Sequence, residues 1–228
     1  MRVDIWSDVV CPFCYIGKKR LEQVAAEAGV TLDIHWHSFE LDPNAPAKHQ
    51  QSNTERLAQK YGRTVTQMQE MERSIAELAA TEGIDFQWQK ANSGNSFNAH
   101  RIIHLAQNKG LGNEAEEAFF HAYMTEGLAI GEREVVVHIA ERIGLSSVDV
   151  IEVLDSQQFS ADVRQDEALA QQLNITGVPF FVFDQKVGLS GVQDRSVFLQ
   201  ALQQALQQSQ VPEAASCEGE QCEIPAKS

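Results

Sequence analysis

The sequence predicts an α/β fold in which a small core containing a β-sheet is divided by an inserted all-helical domain. Three observations support this prediction. A strand-like run leads through Cys11-Pro12-Phe13-Cys14 into a helical run, a long helical stretch follows, and strand-like runs return only near the C-terminus. A length of 228 residues is long for one minimal domain and short for two full ones, which suits a core with an insertion.

The first predicted element is a strand that ends just before the cysteine pair. Its side chains alternate between two faces, with Val3, Ile5 and Ser7 on one and Asp4, Trp6 and Asp8 on the other. Downstream, apolar residues recur at helical spacing, namely Leu21, Val24, Ala25 and Ala28. The first cysteine is therefore expected at the N-terminus of a helix.

Cys11 and Cys14 are the candidate chemical groups. The unpaired amides and positive dipole end of a helix N-terminus can lower a cysteine pKa from about 8.5 to roughly 3.5–7.5. Cys11 is therefore the predicted nucleophile, and Cys14 is the thiol that resolves the mixed disulfide. Asp8 would raise the pKa of Cys11 if the two side chains met, but the sequence does not say where Asp8 points.

Two other interpretations of this pair stay open. A structural disulfide gains little chain entropy in so short a loop. Half of a zinc site would need two further soft ligands, and the other cysteines lie at the far C-terminus. The order strand, CxxC, helix favours redox chemistry and predicts no metal.

A second strand is predicted at residues 31–37, where Leu32, Ile34 and Trp36 alternate with Asp33, His35 and His37. The two histidines are interpreted as covering one face of the sheet, with a shared metal ion as the alternative. Periodicity breaks between residues 42 and 53, where the insertion is expected to leave the core.

Residues 54 to about 170 are predicted to form a small helical bundle. Apolar residues recur there at helical spacing, beginning with the stripe Met68, Met71, Ile75 and Leu78. The two methionines are interpreted as core residues. Ser146 or Ser147 is expected to cap the next-to-last of these helices and Ser160 the last.

The pattern returns to β-structure near the C-terminus. Residues 175–179 lead into a β-rich run at 180–183, and a turn and a second short strand at 187–189 follow. Asp194 is expected to cap a final helix. From the residues alone, Pro179 has one simple interpretation, the start of an edge strand.

Several segments together resemble DsbA-like oxidoreductases, which have a thioredoxin fold with an inserted helical domain, and within them the FrnE subgroup. These segments are residues 7–17, 38–43, 95–101, 176–181 and 190–193. The implied organisation is a discontinuous thioredoxin-like core at residues 1–45 and 172–208, a helical insertion at 46–171 and an acidic tail at 209–228.

The resemblance implies thiol–disulfide exchange on protein or small-thiol substrates, including isomerisation, with no cofactor. It also implies that Pro179 is cis and faces Cys11 and Cys14. The backbone of Val178 would then pair with an extended substrate segment. Pro12 and Phe13 complete the predicted substrate-binding residues.

Two alternatives of other kinds are kept. Kappa-class glutathione transferases and 2-hydroxychromene-2-carboxylate isomerases resemble this layout, but they have serine at the position of Cys11. Because those enzymes bind glutathione, the predicted partners are protein dithiols or disulfides, or glutathione. A redox-sensing holdase or interaction module is the second alternative.

Two further pairs of residues receive predictions. His100 and Arg101 are interpreted as a solvated helix face, with a position above Cys11 as the alternative. Cys217 and Cys222 lie in a polar, acidic tail and resemble the second cysteine pair of some FrnE-like proteins, which predicts an auxiliary redox pair. A passive pair is the alternative.

Composition limits the other partners. The net charge of −14 argues against nucleic acid and anionic membranes, which attract clustered Lys and Arg. No apolar stretch of signal-peptide length precedes the first strand, and no run approaches the roughly 20 apolar residues of a membrane span. We therefore expect a soluble cytoplasmic protein, either a monomer or a homodimer, whose cysteines are redox-active rather than structural.

Overall fold

A computed structural model describes residues 1–210 of the chain. Its sheet has four strands in the order β2-β1-β3-β4. The strands are β1 (Arg2–Ser7), β2 (Asp33–Ser38), β3 (Phe180–Phe183) and β4 (Val187–Ser190). β1 runs parallel to β2 and antiparallel to β3, and β3 forms a hairpin with β4. All four strands overlap the runs predicted from sequence, with ends that differ by at most two residues.

β1 joins the two halves of the sheet. Ile5 faces Trp36 of β2 on one side and Phe181 of β3 on the other. Both faces of β1 are covered, because the polar Asp4 is buried as well as Ile5 on the opposite face. The predicted alternation therefore does not correspond to one wet and one dry face.

The helices within the described residues are nine in number, and seven of them lie between β2 and β3 along the chain. They are α1 (Pro12–Glu27), α2 (Asn53–Tyr61), α3 (Val65–Thr81), α4 (Phe97–Gln107), α5 (Gly112–His121), α6 (Arg133–Arg142), α7 (Ser147–Asp155), α8 (Ser160–Gln172) and α9 (Arg195–Gln210), with a π-helical turn at Ala122–Glu126. The helical stretch is thus where the apolar stripes predict it. The domain boundaries at 45/46 and 171/172 stay predictions.

Capping explains where several helices begin. Ser52 and Thr64 form capping boxes at the starts of α2 and α3. The prediction for Ser160 is wrong, because Phe159 occupies the cap position of α8 and Ser160 is already helical. Phe159 adopts a left-handed backbone with φ of 61°, and its ring stacks on His104 with centroids 6.3 Å apart. Packing of this ring therefore decides the boundary.

α1 is held between the sheet and the helical segment. The Tyr15 hydroxyl donates to Glu117 of α5 at 2.6 Å, and Lys18 Nζ, which is buried, donates to the same carboxylate at 2.7 Å. Burial raises the pKa of Glu117, but the Lys18 ammonium outweighs burial and sets the pKa at about 2. These contacts fix the helix that carries the cysteine pair.

A charged network links the sheet to α8. His37 Nε2 lies 2.9 Å from Asp4 Oδ1, and His37 Nδ1 lies 2.7 Å from Asp166 Oδ1. The imidazole also stacks on Trp6 with ring centroids 4.4 Å apart. His37 therefore has two carboxylate partners, one from the neighbouring strand and one from a helix far away in sequence.

None of the helices in residues 1–210 is long and apolar enough to cross a membrane.

Candidate active site

Cys11 precedes the first turn of α1. Pro12 occupies the first helical position, where the missing N–H costs nothing. The Cys11 side chain makes no capping hydrogen bond of its own. Because Cys11 is the N-cap residue of α1, it lies at the positive end of the helix dipole, where negative charge is stabilised.

Cys14 is buried beneath Cys11. Its backbone N–H donates to the carbonyl of Cys11 at 3.1 Å, which sets the two thiols one turn apart. Burial raises the pKa of the Cys14 thiol well above its usual value, and the neighbouring Cys11 raises it further. Both cysteines are free thiols in the structure. The pair therefore combines a thiol at a helix end with a thiol that stays protonated.

The loop before β3 faces this pair. The Val178–Pro179 peptide bond is cis, as the resemblance implies. The Cys11 thiol donates to the Val178 carbonyl over a sulfur–oxygen distance of 3.7 Å, although the residues lie 167 positions apart. Gly17 allows this approach, since a Cβ there would lie 2.9 Å from the Phe181 ring and 3.3 Å from Pro179.

Asp8 points into the interior. Its carboxylate accepts the N–H of Leu41 at 2.7 Å and that of Val10 at 3.3 Å, and it lies 3.6 Å from His100 Nε2. Burial lowers the pKa of His100, but Asp8, followed by Glu116 and Glu40, outweighs burial and raises it overall. Asp8 thus ties the loop after β1 to the loop after β2 and to α4.

The prediction that His100 and Arg101 form a solvated face is wrong, because both are buried. Arg101 donates to the backbone carbonyls of Ser156 and Gln158, so it holds the end of α7 in place. Only His100 lies close to the loop that carries the cysteines.

Glu116 of α5 belongs to the same buried cluster. Burial raises its pKa to about 8, partly opposed by His100. Its Oε2 atom has no hydrogen-bond partner among the described residues. The sequence contained no signal for this residue, since an acidic residue in a helical stripe is usually solvated.

A cavity of about 350 Å³ opens beside Cys11. Its lining is mainly apolar as a whole and comes from α2, α3, the segments around Cys11 and Val178. Tyr123, in the π-helical turn, also lines it, and such turns are frequent at functional sites. Burial raises the pKa of Tyr123, so its hydroxyl stays protonated.

The sequence did not predict this cavity. Met68 is buried as expected, but Met71 is 41% exposed, and both line the cavity. The interpretation of both as core residues is therefore wrong for Met71.

The remaining predicted sites have different outcomes. Pro12 and Phe13 lie at the cavity next to Cys11. No group of three or more His, Cys, Asp or Glu residues within 1–210 is arranged to hold a metal ion. Cys217 and Cys222 lie outside the described residues.

A family model described as the DSBA-like thioredoxin domain matches residues 2–203. The chain belongs to the DSBA-like thioredoxin family. The thioredoxin fold with helices between its two halves is therefore confirmed. A probable DsbA oxidoreductase from Streptomyces coelicolor is 35% identical to this DSBA-like chain, with a TM-score of 0.88 over 99% of this chain and 100% of that one.

Two more distant structures share the DSBA-like fold. Cytosolic disulfide reductase DsbM from Pseudomonas aeruginosa is 16% identical, with a TM-score of 0.60 over 92% of this chain and 98% of that one. A 2-hydroxychromene-2-carboxylate isomerase is 17% identical, with a TM-score of 0.65 over 92% and 97% of the two chains. At these identities both likenesses show the shared fold alone.

Proposed function

We propose that the protein is a thiol–disulfide oxidoreductase whose reacting pair is Cys11 and Cys14. The observation that carries this proposal is the placement of Cys11 at the start of α1, 3.7 Å from the Val178 carbonyl and one turn before the buried Cys14. One thiol is thus placed to attack, and the other is held protonated until it is needed.

The reaction has two exchanges. The Cys11 thiolate attacks one sulfur of a substrate disulfide, forms a mixed disulfide and releases the other sulfur as a thiolate. Cys14 then gives its proton to the substrate thiolate released in the first exchange and attacks the Cys11 sulfur. The second substrate sulfur leaves as a thiolate, and a Cys11–Cys14 disulfide remains. The substrate gains two electrons and the pair loses two. Two molecules of a thiol such as glutathione restore the dithiol and leave as their own disulfide, and the reverse sequence oxidises a substrate.

Substrate recognition is assigned to the loop that faces Cys11. The Val178 N–H has no acceptor among the described residues, and Val178 directly precedes Pro179 and β3. An extended peptide beside Val178 could donate to its carbonyl and accept from its N–H, as a short added strand does. Pro12 and Phe13 complete the surface, and Phe13 is exposed.

A second candidate is a glutathione-dependent isomerase or transferase. The fold likeness to the 2-hydroxychromene-2-carboxylate isomerase and the cavity beside Cys11 favour it. The presence of cysteine at both active positions favours thiol–disulfide exchange instead. A redox-sensing holdase would keep the cysteine pair but would show no turnover.

The finer assignments belong to the same proposal. They are membership of the FrnE subgroup, a cytoplasmic location like that of the cytosolic reductase DsbM, and an auxiliary role for Cys217 and Cys222. The cysteine pair would act there on protein disulfides or on glutathione.

The test is a redox titration of the full chain in glutathione buffers. We expect Cys11 and Cys14 to convert between dithiol and disulfide in one two-electron step, measured by alkylation and mass spectrometry. A midpoint near roughly −270 mV would indicate a reductant and one near roughly −120 mV an oxidant.

The matched control for this titration is Cys217→Ser/Cys222→Ser, which leaves the core pair intact. The proposal is wrong if the core pair forms no disulfide across this range, or if turnover with a chromene carboxylate exceeds disulfide exchange.

A further inference from the structure

Ser7, the last residue of β1, has a buried hydroxyl group without a hydrogen-bond partner. The residue is fully buried, and its Oγ atom makes no hydrogen bond within the described residues. A buried polar group that is left unpaired costs free energy, and native structures contain few of them. No hydrogen bond in residues 1–210 therefore accounts for this hydroxyl.

The hydroxyl of Ser7 acts on the sulfur of Cys14. Ser7 shares a face of β1 with Ile5, which belongs to the same buried cluster as Cys14. The Cys11 N–H donates to the Asp8 carbonyl at 2.9 Å, so the chain turns tightly from the end of β1 into the first turn of α1. Burial raises the pKa of Cys14 well above its usual value, whereas the nearby Ser7 hydroxyl lowers it.

The backbone N–H of Asp8 is a second donor at the same sulfur. It opposes the effect of burial on the pKa of Cys14, as the Ser7 hydroxyl does, and it donates to no oxygen atom within residues 1–210. The Asp8 carboxylate is directed elsewhere, because it accepts the N–H groups of Leu41 and Val10. What Asp8 offers to Cys14 is therefore a hydrogen-bond donor and not a base.

Cys14 needs such donors in one step of the exchange. It is 2% exposed, so water does not solvate its sulfur. As a thiol the sulfur is neutral and a weak acceptor. When Cys14 attacks the Cys11 sulfur it carries negative charge in a buried site, where charge is strongly destabilised unless hydrogen bonds stabilise it. Donors that are fixed in advance at the position of the developing charge lower the barrier, as they do for an oxyanion.

We propose that Ser7 is a further catalytic residue, whose hydroxyl joins the Asp8 N–H in binding the Cys14 sulfur while that sulfur carries negative charge. The inference rests on the proposed function and adds the groups that stabilise its second exchange. The Ser7 proton stays on its oxygen throughout. The Cys11–Cys14 bond forms as the bond between Cys11 and the substrate breaks, and the charge leaves on the second substrate sulfur. In the reverse direction the same hydrogen bond stabilises Cys14 as the leaving thiolate.

The hydrogen bond belongs to neither stable form of the cysteine pair. Cys14 is a protonated thiol in the reduced pair and a neutral disulfide sulfur in the oxidised pair, so neither form presents a charge to the Ser7 hydroxyl. Loss of the hydroxyl should therefore slow the second exchange in both directions without changing the midpoint potential. A residue that stabilised one redox form would shift the potential instead.

The experiment mixes the reduced full chain with an excess of the symmetrical disulfide of 5-thio-2-nitrobenzoate. The chain carries Cys217→Ser/Cys222→Ser, so Cys11 and Cys14 are its only thiols. Cys11 releases one coloured thiolate in a first phase, and Cys14 releases the second when it displaces the aromatic group from Cys11. The buffer takes the Cys14 proton. Only the first phase becomes faster with reagent concentration, so stopped-flow absorbance separates the two exchanges.

In Ser7→Ala we expect the second phase at about pH 6 to slow about 3-fold or more, with the first phase within about 1.5-fold of the parent chain. This size follows if loss of the hydroxyl raises the pKa of Cys14 by about one. The thiolate fraction then falls about 10-fold, while the remaining thiolate becomes about 3-fold more nucleophilic. The midpoint potential in glutathione buffers should equal that of the parent chain.

Ser38→Ala is the matched control. Ser38 is the partner of Ser7 in the register of β1 and β2 and is likewise buried, but its hydroxyl lies 3.2 Å from His104 Nε2. This variant also removes one buried hydroxyl from the sheet. It should leave the rates of both phases unchanged.

The outcomes separate this inference from the function on which it rests. An unchanged second phase in Ser7→Ala, equal slowing of both phases, the same slowing in Ser38→Ala, or a shifted midpoint potential would overturn the role of Ser7 but leave exchange by the cysteine pair intact. A second phase that persists in Cys14→Ser, or a parent chain whose intact mass retains the aromatic group after both phases, would overturn both.

Discussion

Replacement of Cys11 by serine is expected to lower the rate of disulfide exchange by at least about a thousandfold, because the thiol that precedes α1 is removed. Cys14→Ser should behave differently. Its Cys11 still attacks, but the mixed disulfide is not resolved, so a covalent adduct accumulates. Mass spectrometry of the intact chain after mixing with a disulfide peptide measures both results.

The two cysteines also differ before any reaction. Burial raises the pKa of Cys14 well above its usual value. Alkylation of the reduced chain near pH 6 should therefore modify Cys11 first, and peptide mapping gives the order. Faster modification of Cys14, or an adduct that accumulates on Cys11→Ser but not on Cys14→Ser, would reverse the assignment of roles.

The second large effect concerns stability. His37→Gln should lower the free energy of unfolding by about 2–4 kcal/mol at pH 6, because it removes a charge shared by two largely buried carboxylates, Asp4 and Asp166. His35→Gln is the matched control. His35 lies two residues away on the same strand, and its side chain is 41% exposed. Its one ion-pair partner among the described residues is the exposed Asp33, so its loss should cost less than about 0.5 kcal/mol.

The pH dependence of this effect has a definite sign. Burial lowers the pKa of His37, but Asp166 and Asp4 outweigh burial and raise it from 6.5 to about 9. Stabilisation by a raised pKa is complete below the unfolded value and is lost as pH rises through the folded one. The difference between wild type and His37→Gln should therefore shrink between pH 6.5 and 9.

At low pH the stability depends on the two carboxylates, Asp4 and Asp166, rather than on His37. Burial raises the pKa of Asp4 and of Asp166, but the histidine hydrogen bonds outweigh it and leave both pKa values well below 3.8. Their contribution is complete above that value and is lost as pH falls towards the folded pKa values. Urea unfolding from pH 3 to pH 10 measures the whole profile. If the free energies of unfolding of His37→Gln and His35→Gln differ by the same amount at every pH in that range, the predicted pH dependence is wrong.

The fold was predictable because its signals are local. The alternation at 31–37, the stripe beginning at Met68 and the β-rich run at 180–183 each report the period of one element. The start of α1 was predictable for the same reason, since strand, CxxC and helix follow one another directly. The position of Cys11 therefore needed no knowledge of the rest of the chain.

The unpredicted parts depend on residues that are distant in sequence. His37 pairs with Asp166 on α8, and Asp8 contacts Leu41 and His100. The cavity forms because α3 lies beside Cys11. No local pattern specifies such pairs. Phe159 shows the same limit on a smaller scale, because its packing on His104 places the α8 boundary where serine preference would not.

The position of β1 between strands from both ends of the chain has a consequence for synthesis. β1, β2 and α1 leave the ribosome early, but Val178 follows Cys11 by 167 residues. At roughly 5–20 residues per second, that interval is of the order of ten seconds. During it the nascent chain contains both thiols but lacks the loop and the β3–β4 hairpin that complete their surroundings. The chain thus acquires its assembled cysteine pair only after β3 has been made, and a product truncated before β3 would have the thiols without the site.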